Sequence, residues 1–221
     1  MLRKILKIIL KICIIVIILG CLCLISKYFI LNNLINKFDK FIQTDNLHIK
    51  KYTNDGMVVS ITENLFKDGK IYIKDVSVEK ENLDNKVTVY ILYDGEKFNY
   101  NFRYENEENS YKTDDNGSAY VIFDIDYLKD IKNNKIDIIK QLIFMKFENE
   151  KCNGKECIKM TSNDGRSWYI NKETGCLVRY SGAESESIDF EKYNVVYDYE
   201  FKLNLDNEEE YIKQFEHMLT K

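Results

Sequence analysis

An unbroken apolar run near the N-terminus, Ile12 to Ser26 and on to Leu31 if Lys27 snorkels, constrains this chain more than any other feature. A helix rises about 1.5 Å per residue and the hydrocarbon of a bilayer is about 30 Å thick, so residues 12–31 suffice for one transmembrane helix, a signal anchor. Arg3, Lys4, Lys7 and Lys11 precede the run, and only Lys27 lies close to its other end. The positive-inside rule therefore predicts a cytoplasmic basic tail at residues 1–11 and an extracytoplasmic domain at residues 32–221. The expected location is the cell membrane, single-pass, with the N-terminus cytoplasmic and the C-terminal domain extracellular. A cleavable signal would need a shorter apolar core followed by small residues. Ile18-Leu19-Gly20-Cys21 has the form of a lipobox, which would put acyl chains on Cys21. Against it, Lys11 intrudes on the apolar core, and cleavage would leave Leu22 to Ile25 as a second greasy stub. Within a span, Cys13, Cys21 and Cys23 are simply small buried side chains.

The first 30 residues hold five basic side chains and no acid, while the whole chain of 221 residues carries a net charge of −4. The remainder is thus strongly acidic, which argues against binding nucleic acid, anionic polymers or lipid head groups by charge alone. About 180 residues is the size of one domain with its own core.

After the run, Leu31, Leu34, Ile35, Phe38 and Ile42 recur at helical spacing, with Asn32, Asn33, Asn36, Lys37, Asp39 and Lys40 opposite. This predicts an amphipathic helix that closes over a sheet or lies on the membrane surface. Val87, Val89 and Ile91, then Phe98, Tyr100, Phe102 and Tyr104, alternate with polar residues around Asp94-Gly95, a hairpin signal. A two-residue loop there would pair Ile91 with Phe98, Val89 with Tyr100 and Val87 with Phe102. Further strands are expected at residues 48–52, 57–62, 70–78, 118–123, 157–161, 166–170, 177–180 and 195–203. Helices are expected over residues 127–145 and from Tyr211 to Leu219, the latter capped by Asp206 and Asn207. Closely spaced strands with a few helices predict an α+β fold: a curled antiparallel sheet with packed helices.

The string CNGKEC, Cys152 to Cys157, is the most specific motif beyond the run. A type II′ turn at Gly154-Lys155 would set Cys152 opposite Cys157, close enough for a disulfide in an oxidising compartment. Cys176 is left to pair with Cys157 or to remain a buried thiol. Three cysteines without a fourth ligand at recognised spacing do not make a zinc site, so no metal or other cofactor is expected. Only His48 and His217 are present, and neither neighbours a nucleophile motif, so the chain is not expected to be an enzyme. The aromatic stripes Phe98, Tyr100, Phe102 and Tyr197, Tyr199, Phe201 are either core or the lining of an apolar cavity.

CNGKECIKM (Cys152 to Met160), WYINKETG (Trp168 to Gly175), LVR (Leu177 to Arg179) and the tyrosine-rich strand ending at Leu203 resemble a group of uncharacterised, membrane-anchored proteins of low-GC Gram-positive bacteria of the clostridial type. That group is similar to the LolA/LolB-like fold, an incomplete antiparallel barrel curled over helices, whose cavity takes lipoprotein acyl chains in Gram-negative carriers. The resemblance implies an extracytoplasmic LolA-like domain. It does not imply lipoprotein carriage, since a Gram-positive cell has no outer membrane to receive the cargo. The expected function is a membrane-anchored binding module for an apolar or amphiphilic ligand, such as a lipid, or for an exported polypeptide. The alternative is an envelope interaction protein with a solid core.

Overall fold

The apolar run and the amphipathic stretch after it form one unbroken helix, α1 (Leu2–Ile42), about 60 Å long at 1.5 Å per residue. The computed structural model describes residues 2–42, 46–54, 58–79, 86–93, 98–104, 107–113, 142–185 and 192–220. As far as Phe29, α1 leaves most of its large apolar side chains exposed, among them Leu6, Val16, Ile17 and Leu19. A stretch of 18 of its residues has a mean hydropathy of 3.3 with none buried, so the helix is long and apolar enough to cross a membrane. From Leu31 its character changes, and Leu31, Leu34, Ile35 and Phe38 are buried. The change from exposed apolar surface to buried core contacts therefore falls inside a continuous helix.

Among the described residues eleven strands follow: β1 (Leu47–Asn54), β2 (Val58–Lys67), β3 (Lys70–Glu79), β4 (Lys86–Tyr93), β5 (Phe98–Tyr104), β6 (Glu107–Thr113), β7 (Lys146–Cys152), β8 (Lys155–Thr161), β9 (Ser167–Asn171), β10 (Leu177–Ser185) and β11 (Lys192–Leu203), and then helix α2 (Glu208–Thr220). They make one sheet in the order β6-β5-β4-β3-β2-β1-β11-β10-β9-β8-β7. Every pairing is antiparallel. The sheet is two meanders, β1–β6 and β7–β11, joined where β1 pairs β11, and it stays open between β6 and β7. In class the molecule is α+β. The expected strand at 118–123 and most of the expected helix at 127–145 lie outside the described residues, although residues 142–144 are helical.

Two hairpins differ in register from the sequence reading. β4 and β5 close at Tyr93↔Phe98, so Ile91 faces Tyr100, Val89 faces Phe102 and Val87 faces Tyr104. The expected turn at Asp94-Gly95 lies among residues 94–97, outside the described residues, between Tyr93 and Phe98. A shift of two residues keeps every side chain on its own face, which is why the apolar pattern could not detect it. In the second hairpin the turn is Asn153-Gly154, with φ of 49° and 75°, and not Gly154-Lys155. Positive φ at both central residues is the type I′ geometry that Asn-Gly favours.

Strand alternation assigns two faces to the sheet. On one, Leu31, Leu34, Ile35 and Phe38 of α1 form the main core with Ile158, Met160, Trp168, Ile170, Leu177 and Tyr199, together with Leu142, Met145 and Cys176. The contact is close enough to require glycine at position 175, where φ is +74° and a Cβ would collide with the Leu34 carbonyl oxygen and the Phe38 amide nitrogen. Lys37 reinforces it by donating to the Lys172 carbonyl. On the other face and at the other end, Phe215 of α2 packs on Leu65 and Tyr72, with Tyr90, Leu92, Leu205, Tyr211 and Ile212 around them. Glu208, Glu209 and Glu210 occupy the first turn of α2, where the helix dipole favours negative charge.

Candidate functional site

The aromatic residues singled out in the sequence come onto a single face. Register carried strand by strand from β11 to β5 puts Tyr197, Tyr199 and Phe201 on the same face as positions 98, 100 and 102, with Ile49, Ile73 and Ile91 between them. That is the face on which α1 sits. The side chains of Phe98, Tyr100 and Phe102 themselves lie outside the described set.

At the β11 end the arrangement is resolved atom by atom. Tyr199 is 4% exposed and belongs to the core beneath α1. Phe201 stacks on it at 6.5 Å and meets Phe41 of α1 edge-on at 6.2 Å. Tyr197 takes part in a different feature, a ladder across three strands. Its ring stacks on Tyr180 at 5.6 Å, and Tyr180 leans on Trp168 at 5.5 Å. The register explains the ladder, because Tyr180 on β10 lies directly between Trp168 on β9 and Tyr197 on β11. Such pairs are worth about 0.5–1.5 kcal/mol each beyond their buried area. A cation stands over each end: Lys51 Nζ is 4.0 Å from the Tyr197 ring centroid, and the Arg166 guanidinium is 5.7 Å from the Trp168 ring. Tyr180 and Tyr197 are only half-buried, so the middle of the ladder reaches solvent. Sequence reasoning named Tyr197 and missed Tyr180, whose partners become visible only once β10 is seated between β9 and β11.

The cysteines do not form the expected bridge. With the turn at Asn153-Gly154, Cys152 faces Lys155 and Cys157 faces Glu150, so the two cysteines are diagonal neighbours. Diagonal positions lie about 7–8 Å apart, beyond what a disulfide spans without backbone movement. All six cysteines are free thiols. Cys152 and Cys157 pack with Val178 and Tyr169 on the face away from α1. Cys176 packs into the core on the α1 side, so it does not meet Cys157 either. Burial raises the thiol pKa of all three, that of Cys176 to about 11. These are inert thiols, not nucleophiles.

Two further polar features hold structure. The Arg179 guanidinium makes a forked contact with Asp198 at 2.7 and 2.9 Å, and both residues hydrogen-bond Asn153 in the turn. His48 is buried on the face that α2 covers, edge-on to Tyr211 at 6.2 Å, and burial lowers its pKa. Among the described residues no group of three or more His, Cys, Asp or Glu side chains is placed to hold a metal ion. The described chemistry is therefore that of aromatic surface, cations at its two ends, and an exposed apolar helix.

Set against models of protein families and against curated proteins, the chain matches none.

Proposed function

We propose that the chain is a single-pass membrane protein whose sheet domain is a non-enzymatic binding module for an apolar or amphiphilic ligand. The domain lies outside the cell and follows the LolA-like plan of an incomplete barrel. The observation that carries this reading is the sharing of one sheet face by the β5 and β11 aromatic positions, with α1 contributing to the core at the β8–β11 end of that face. The open antiparallel sheet supports the incomplete barrel, since β6 and β7, consecutive among the described strands, form its opposite edges. The half-buried ladder supports a ligand with an apolar part, because Tyr180 and Tyr197 offer apolar area; of the two cations at its ends, Arg166 is ion-paired with Asp164 at 2.6 Å. Positions 98, 100 and 102 of β5 fall on the same face of the sheet.

The second reading, an interaction protein with a solid core, is favoured by one specific observation. Tyr199 is sealed under α1 and lines no open space. Native mass spectrometry of the full chain carried in amphipol separates the two. A lipid-mass adduct present in the wild type and lost in Tyr100→Ala or Tyr197→Ala, with the other anchor-associated lipids kept, is expected for the binding module. Identical adducts in all three proteins would reject it in favour of the interaction protein.

A further inference from the structure

Residues 142–145 carry two of the largest exposed apolar side chains outside α1, and α1 itself fixes their position. Leu142 and Met145 turn inward and are buried at 5% and 4%, whereas Ile143 and Phe144 turn outward and are 50% and 57% exposed. The segment is tied down by Lys27 of α1, whose Nζ donates to the Leu142 carbonyl at 2.9 Å and to the Met145 carbonyl at 2.8 Å, and lies 5.8 Å from the Phe147 ring. Lys27 is the first charged residue after the apolar run, where a spanning helix leaves the hydrocarbon. On α1 at that level Ile25, Tyr28 and Phe29 are also exposed. Ile143 and Phe144 are therefore held, exposed, at the level of the helix where its apolar run ends.

We infer that residues 142–145 are a second, shallow membrane contact, in which Ile143 and Phe144 enter the lipid interface beside α1. Lys27 serves both elements. It ends the span, and it gives two carbonyls a charged donor where water becomes scarce. The occupant is lipid, because Lys27 holds Ile143 and Phe144 at the level where the apolar run of α1 ends, and aromatic residues partition to the bilayer interface. The contact would fix the tilt of the domain over the membrane. This inference rests on α1 being a membrane span.

The test is depth-dependent fluorescence quenching of the full chain in phosphatidylcholine vesicles with bromine at shallow or deep acyl positions. Single tryptophans are placed in a Trp168→Phe background at Phe144→Trp, at Ile15→Trp within the span, and at Glu173→Trp in the turn after β9. Shallow bromines are expected to quench Phe144→Trp by about twofold or more, deep bromines to quench Ile15→Trp most, and neither to quench Glu173→Trp. Quenching of Ile15→Trp with Phe144→Trp behaving like Glu173→Trp overturns the second contact and leaves the span. An unquenched Ile15→Trp overturns both. If the Trp168→Phe background fails to fold, a photoreactive benzoylphenylalanine at position 144 of the otherwise wild-type chain decides the same question: crosslinks to lipid support the contact, and crosslinks to protein alone reject it.

Discussion

Gly175 and Gly154 show how differently two glycines in left-handed backbone can matter. A Cβ at Gly154 meets nothing within 4 Å, so Gly154→Ala adds only backbone strain, an expected loss of about 1 kcal/mol. At Gly175 the same methyl must also displace α1, because it would lie 2.6 Å from the Phe38 nitrogen. Gly175→Ala is expected to cost about 3 kcal/mol or more, read by urea titration of the detergent-solubilised chain. His48 makes a prediction about pH. Burial is the largest cause of its lowered pKa; Glu63 and Glu200 oppose the shift, while Lys50 and Lys202 add to it. The unfolded chain, with an ordinary His pKa near 6.5, then binds the proton more readily than the fold does. The contribution of neutral His48 is whole above pH 6.5 and is lost as pH falls from there towards the folded-state value. Thermal denaturation should show that slope in the wild type, and His48→Phe should flatten it.

At the level of elements, the plainly alternating strands were legible in the sequence because each buries one face, as Tyr197 and Tyr199 of β11 show. β6 was not, since Glu-Glu-Asn-Ser-Tyr-Lys-Thr lacks an apolar row and an edge strand can do without one. Hairpin register was legible only modulo two, because the apolar pattern reports the face and the turn must supply the rest. In CNGKEC two adjacent glycine turns competed, and the left-handed tolerance of Asn153 decided for Asn-Gly. The ladder lay beyond sequence reading because Trp168, Tyr180 and Tyr197 share no local period and meet only through pairing of three strands. Helix α2 depends on Phe215, which contacts Tyr72 at 5.7 Å and Tyr90 at 5.3 Å, both edge-on. Phe215→Ala should cost about 3–5 kcal/mol. Hydrogen exchange would report it first in β2 and β3, with β8 and β9 unaffected.

For the whole molecule, the helix that is long and apolar enough to cross a membrane is also the lid of the core. A fragment of residues 46–221 would lack Leu31, Leu34, Ile35 and Phe38 and would bare the apolar face of β8–β11. It is expected to bind an apolar dye and to melt well below the full chain, whereas a fragment beginning at Lys27 keeps its lid and should do neither. Near-normal melting of the shorter fragment would show that α1 is dispensable to the sheet. The β1–β11 pairing also imposes an order of events. β1 is the first strand made and β11 the last, and each is the other's neighbour at the centre of the sheet. Until β11 has been made, one side of β1 is an unsatisfied row of amides and carbonyls. Of the described strands, the one that emerges earliest waits longest for a partner, so this sheet is most exposed to mispairing just before β11 arrives.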